Sequence, residues 1–388
     1  MNKPSKKFCS VRGRAAPIFL LSRGISDSAG GSGAVVANLV SGLETGEVLL
    51  AGEGDIRASI DTEDPFKPQV LIPAWAKGRR GAKMWRRLLL PLLILRIRHF
   101  LIKWRCKKLI AVYPDEVFLF AGWVASRITG TDFYAYFHNT YLENRVGLRK
   151  FFARWLQDCV FRDAKHVFVM SDGLVEFYNE NYPELEFCSA LRHSFPEKIP
   201  SFCELRAIND PLKIVMIGSI NESCLDAAQR MCEAVRHVPR VNLRFCSGQP
   251  QKSYEKFGLW SDSCTCGFVS RTDLLNIVGA ADILLLPHGF SGSRPQVEYD
   301  TIFPTRTIEF LISGKPILAH SPPNAFLTKF LKKHRCALVV EDPSVDSICA
   351  AIALLRSDSI LRNELVRNAL IAAEVFRSSD VAHEFREV

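Results

Sequence analysis

Apolar residues in this chain of 388 residues fall into short, nearly continuous runs separated by stretches with helical spacing. The runs at 16–22, 109–113, 132–137, 167–171, 212–217, 241–247, 282–287, 316–320 and 336–341 predict strands, several apolar throughout as in a sheet covered on both faces. The segments at 34–43, 114–128, 172–181, 271–278, 345–356 and 360–376 predict helices. Strand–helix alternation in both halves argues for an α/β protein with two doubly wound, Rossmann-like parallel sheets facing each other. A proline-rich polar stretch from Pro196 to Pro211 reads as the linker between them. We therefore expect a first domain over 1–200 and a second over 201–370.

The length suits two domains of ordinary size, and a charged content of 23% is that of a globular chain. Twelve cysteines are scattered without zinc-type spacing and read as reduced core thiols of a cytosolic protein, so no metal is expected. The net charge of +9 is uneven: residues 1–150 carry 24 Lys/Arg against 12 Asp/Glu, and the remainder carries 26 against 29. The apolar run at 17–21 is too short for the core of a secretory leader.

Candidate chemistry concentrates at residues 303–316. Pro304 suits a helix start, Ile308, Leu311 and Ile312 share an apolar face, and Gly314 with Pro316 ends the helix. Arg306 and Glu309, three residues apart, project from one face of its first turns. Arg306 offers a fork of donors to a phosphate, aided by the free N–H groups of the helix that starts at Pro304 and Thr305, while Glu309 can accept from ribose hydroxyls. The pair suggests a nucleoside diphosphate; an ordinary surface ion pair has the same spacing. After the first strand, Gly30, Gly31, Ser32 and Gly33 form a loop whose backbone can approach phosphate, without the full dinucleotide fingerprint. A mobile turn has the same composition. His138 directly follows a strand, where ligands of open α/β sheets bind.

The stretch 303–316 resembles the donor-site helix of retaining glycosyltransferases of family 4, enzymes of the two-domain GT-B fold. Many members read Ser- or Phe-Pro-x-Lys, then x-x-Glu-Tyr/Phe, a small residue, Gly and Pro; here Arg306 stands for Lys and Phe310 for Tyr. Residues 267–287 resemble the family's Gly-x-Val, helix, Ala-Asp-x-x-x-x-Pro pattern. The resemblance implies transfer of a sugar from a nucleotide-sugar co-substrate with retention, without a bound metal or other cofactor. It implies diphosphate contacts at Gly218, Ser219 and Asn221, donor-sugar contact at His138, and a final helix within 371–388 crossing back to the first domain. Two departures stand out. The Arg and Lys expected after Gly218 are replaced by Glu222-Ser-Cys-Leu-Asp226, and the first of two glutamates separated by seven residues falls at Thr301 and is missing, with Glu298 or Asp300, in the segment 291–300 that reads as a polar loop, as stand-ins.

Residues 75–108 interleave twelve Lys/Arg with Trp75, Trp85, Trp104 and an aliphatic centre at 88–95, and contain no acid. That centre is shorter than the roughly 20 residues that cross a bilayer, and its cationic flanks suit the headgroup region. Trp75, Arg79, Arg80, Trp85, Arg86, Arg87 and Trp104 are the expected contacts with an anionic membrane surface. A core helix with a solvated basic face is the alternative. The aliphatic block offers little to stack on bases, so nucleic acid is not expected. The combined expectation is a peripheral enzyme on the cytoplasmic face of the membrane, acting on a lipid-linked or growing glycan acceptor in cell-surface polysaccharide synthesis. A non-catalytic GT-B scaffold that binds membrane or a partner protein is the rival, and a sugar-nucleotide epimerase of similar fold is a third reading.

Overall fold

A computed structural model of the chain describes residues 17–24, 31–54, 68–73, 82–208, 210–269 and 271–388. Gly30, Trp75, Arg79 and Arg80 lie outside these residues.

The apolar runs assemble into two separate sheets in which every paired strand is parallel. The first contains β1 (Ile18–Gly24), β2 (Val48–Gly54), β3 (Gln69–Pro73), β4 (Lys108–Tyr113), β5 (Asp132–Phe137), β6 (His166–Val169) and β7 (Cys188–Ala190). Its order is β3-β2-β1-β4-β5-β6-β7, so the winding reverses between β1 and β4. The second contains β8 (Leu212–Ile217), β9 (Val241–Cys246), β10 (Cys264–Gly267), β11 (Ile283–Pro287), β12 (Ile317–His320) and β13 (Leu338–Val340). Its order is β10-β9-β8-β11-β12-β13, with the reversal between β8 and β11. In open α/β sheets such reversals create the crevice in which ligands sit. Central strands are buried along their length, β11 at all five residues, which explains their unbroken apolar sequences.

Local chemistry fixes the helices that frame the crevice. Asp115 accepts a hydrogen bond from the Phe118 N–H at 3.0 Å and caps the helix Glu116–Thr129, which Gly130 ends at φ 69°. Ser171 caps Asp172–Asn181 in the same way. The helix expected around 304–313 is only six residues long, Arg306–Leu311, and Gly314 ends the turn at φ 69°. The segment 291–300, expected as a polar loop, contains the helix Gln296–Thr301.

The basic apolar segment forms two helices, Ala82–Leu88 and Leu90–Lys103. Two of its expected membrane contacts turn inward. Arg86 is buried between Glu53 at 2.9 Å and Asp115 at 2.6 Å, a pairing that sequence spacing cannot show. Trp104 is half-buried and packs against the core of the first sheet. Trp85 and Arg87 do face outward. Among the described residues no helix is long and apolar enough to cross a membrane.

The halves meet through specific contacts. Ser171 Oγ donates to the Thr301 carbonyl at 2.9 Å, and Asn144 Nδ2 donates to Glu298 Oε1 at 2.8 Å. Phe326 packs so closely on Gly173 that an added Cβ would lie 2.8 Å from the phenylalanine Cβ. The chain then returns: the helix Ser378–Glu387 lies against Ser32–Ser41, with Arg386 forked onto Glu47 by two bonds of 2.9 Å.

Candidate active site

Both reversal points open on one cavity of about 290 Å³. The first half contributes Gly31, Ser32, His138, Asn139 and Met170 to its wall. The second contributes Asn221, Cys224, His288, Arg294, Glu298 and the stretch from Ile302 to Arg306. Of the glycine loop, Gly31 takes φ 66°, in the left-handed region, and Ser32 begins the following helix. Gly33 is buried within that helix, outside the cavity wall.

His138 follows β5 directly, as its position in sequence implies, and its ring packs edge-on against Tyr136 with centroids 4.4 Å apart. Burial lowers its pKa to about 3, and the nearby His193 adds to the effect. The imidazole is therefore neutral across the physiological range, able to hydrogen-bond but carrying no charge. Neither ring nitrogen has a hydrogen-bond partner among the described residues.

Arg306 lies across the turn after β8. Its Nη2 donates to the Ser219 carbonyl at 3.0 Å, and its guanidinium carbon lies 3.6 Å from where a Cβ on Gly218 would be. Gly218 has φ 85°, so a side chain there would be strained, although a Cβ would meet the guanidinium only at ordinary contact distance. Arg306 Nη1 is buried without a hydrogen-bond partner among the described residues. Gly218 and Ser219 thus set the guanidinium in place and do not line the cavity themselves. The Asn221 side-chain oxygen accepts from the Ser223 N–H at 2.9 Å and holds that turn in shape. Glu309 is exposed and absent from the cavity wall, so the helix separates the two members of the expected pair.

Three site residues escaped sequence reasoning or were left ambiguous by it. Glu298, not Asp300, lines the cavity; it is buried, while Asp300 accepts from Gln296 at 3.0 Å on the outside of the same helix. Arg294 approaches Glu298 at 3.7 Å and Glu222 at 3.8 Å, placing a second guanidinium at the rim. His288 directly follows β11 and accounts for the third. Its Nε2 donates to the Tyr299 carbonyl at 2.5 Å, and burial lowers its pKa. The rule that singled out His138, a histidine just past a strand end, applies equally to His288.

The cavity combines two guanidinium groups, a buried carboxylate, a neutral histidine and buried donors without partners. Leaving such a donor unpaired costs about 1–3 kcal/mol, which a polar ligand offsets. Among the described residues no cluster of histidine, cysteine and carboxylate could hold a metal ion.

Among known proteins, no family model matches the sequence and no curated protein does so. Solved structures do match the fold. Sucrose-phosphate synthase of Thermosynechococcus elongatus superposes with a TM-score of 0.72 at 15% identity, covering 96% of this chain and 98% of that one. Anabaena HepE in complex with UDP gives 0.67 at 14%, with the same coverage. A glycosyltransferase from Rickettsia africae gives 0.64 at 12%, again covering 96% and 98%. The two facing sheets are the GT-B fold of these neighbours.

Proposed function

We propose that the protein is a nucleotide-sugar-dependent glycosyltransferase with its donor diphosphate in the 290 Å³ cavity between the sheets. The observation that carries this reading is the buried, unpartnered Nη1 of Arg306 at a cavity onto which both reversal points open. Arg306 binds the diphosphate and stabilises the charge that develops on it as the bond to the sugar's anomeric carbon breaks. Preorganised charge of this kind is commonly the largest contribution to catalysis. Arg294 supplies the second cation that the sequence lacks after Gly218. His138 and Glu298 contact the sugar hydroxyls, and Glu309 holds the ribose at the open side of the site. The acceptor hydroxyl enters past Gly31 and Ser32 and bonds to the anomeric carbon with retention, its proton leaving with the diphosphate. On this reading residues 1–200 serve the acceptor and residues 201–370 the donor.

The acceptor is lipid-linked or a growing glycan, and the helices Ala82–Leu88 and Leu90–Lys103 carry the protein to an anionic membrane surface. Their outward residues support this: Met84, Trp85, Leu88, Leu92, Leu95 and Ile102 are all exposed, where a merely solvated face would be polar. Uridine is the expected base, because HepE was solved with UDP and with UDP-glucose. Calorimetric titration with UDP, GDP, ADP and CMP tests the reading: saturable UDP binding, weakened in Arg306→Ala, is expected. No binding of any of the four nucleotides would leave the non-catalytic scaffold as the better account.

A further inference from the structure

The helix Leu148–Asp163 carries two apolar stripes where a covering helix needs one. Ala153, Leu156, Gln157 and Val160 face inward and are buried. Leu148, Phe151, Phe152 and Trp155 recur at the same helical spacing, yet all four are exposed. At 3.6 residues per turn the two stripes point about 140° apart. Val146, just ahead of the helix, extends the outer one. Its rings are held in a fixed layer: Phe152 and Trp155 stack at 5.6 Å, and Phe120 and Trp123 of the neighbouring helix support Trp155 at 6.1 and 5.7 Å.

We propose that this outer stripe is a second bilayer-docking face, with anionic lipid headgroups and the adjoining acyl region as its occupant. Charge complementarity selects that occupant. Residues 145–157 contain Arg145, Arg149, Lys150 and Arg154 and no acid. Arg149, Lys150 and Arg154 are exposed and have no ion-pair partner among the described residues. A second copy of the chain would bring an equally cationic face against this one. Cations around a layer of exposed aromatic and aliphatic groups are what an interfacial helix presents to lipid.

Charged residues link the stripe to the segment Ala82–Lys103. Glu116, at the start of the helix between them, is approached by Arg87 at 4.0 Å from one side and by Arg145 at 3.4 Å from the other. The connection to the cavity is short. The segment from His138 in the cavity wall passes Asn144, which bonds Glu298 across the cleft, and reaches Val146 and Leu148 on the outer face. Two stripes in one layer fix the orientation of the cleft over the bilayer, where one helix alone leaves rotation about its own axis. The inference takes the bilayer from the membrane contact proposed above, and the second helix from its own exposed stripe.

The test is partition of the full chain onto vesicles of phosphatidylglycerol mixed equally with phosphatidylcholine, and onto phosphatidylcholine alone. Leu148 and Phe151 are 88% and 76% exposed, so serine at both removes little core packing. Leu148→Ser/Phe151→Ser is expected to lose about tenfold or more in partition onto the anionic vesicles, with an unchanged melting temperature. Ile360→Ser/Ile371→Ser, equally exposed sites on the second half, is expected to bind as wild type. If the Leu148/Phe151 variant partitions as wild type while Leu88→Ser/Leu92→Ser/Leu95→Ser is released, the second face is refuted and the first helix stands alone. If wild type ignores both vesicles, both readings fall. A concentration-dependent dimer that the Leu148/Phe151 variant abolishes, without vesicle binding, would assign the face to a second copy instead.

Discussion

Replacing Arg306 by alanine is the most direct perturbation of the proposed site, because the structure separates its two jobs. Nη2 is tied to the Ser219 carbonyl at 3.0 Å, and Nη1 is buried without a partner. Removing the side chain costs the fold one bond to a carbonyl, about 1 kcal/mol, and no core contact. The loss to the ligand is larger. A hydrogen bond to a charged group contributes about 1.5–3 kcal/mol, so UDP affinity should fall by roughly ten- to a hundredfold. Charge stabilisation that exists only as the bond to the leaving group breaks should reduce turnover further, by roughly a hundredfold or more. Arg306→Lys keeps a charge but loses the fork, and should fall between the two. Titration calorimetry and donor turnover, with unfolding curves as a control, read these three quantities separately. An alanine variant with wild-type affinity and turnover would refute the role; equal loss of affinity and of stability would make Arg306 structural.

Three further outcomes follow from burial and pairing. His138, His193 and His320 have pKa values lowered to about 3, 4 and 4, in each case chiefly by burial, so protons bind the unfolded chain more readily. Their contribution is complete above the ordinary histidine value of about 6.5 and is lost as pH falls towards 4, at up to about 1.4 kcal/mol per pH unit for each; urea unfolding over that range should show the slope, shallower in His193→Gln. Asn144→Asp sets a second carboxylate against Glu298 across the 2.8 Å contact and should open the cleft; an unchanged radius of gyration in solution scattering would count against a latch there. Arg86→Glu sets a third carboxylate against Glu53 and Asp115, which keep the more exposed Arg23 as a cation, and should destabilise by about 3–5 kcal/mol, whereas Arg87→Glu at an exposed position should cost little.

The strands were legible because parallel strands covered on both faces must be apolar throughout, as the sequence at 283–287 is. β2, β3, β7 and β10 were not, since their runs are short or mixed, as in Val48–Gly54 with Glu53 turned to Arg86. The helix Leu148–Asp163 was missed for a different reason. Two stripes on one helix spread apolar residues around most of its circumference, and a test for a single amphipathic face finds little. The same doubling explains the basic segment. Leu93, Ile97 and Leu101 face the core while Leu88, Leu92 and Leu95 face out, so neither the membrane reading nor the core reading described the whole stretch.

For the site, sequence located the strand ends but not what other loops deliver to them. His138 and Arg306 could be found because each follows or faces a strand end of its own half. Glu298 could not be chosen over Asp300, because the segment was read as loop, in which the two have no defined sides. The helix Gln296–Thr301 gives them sides: Glu298 turns to Asn144 and the cavity, and Asp300 turns away. Arg294 follows from the same helix, lying one turn before Glu298 and leaning on it at 3.7 Å. On the proposed reading, the cation missing after Gly218 has its replacement in Arg294, held between Glu222 and Glu298. Paired with two carboxylates, Arg294 carries little free charge until a ligand competes for it, whereas Arg306 has no ion-pair partner among the described residues and bonds to a carbonyl. On the proposed reading, a diphosphate entering the cavity meets Arg306 first in energy, and recruits Arg294 only by loosening it from Glu298, one of the residues that join the two halves.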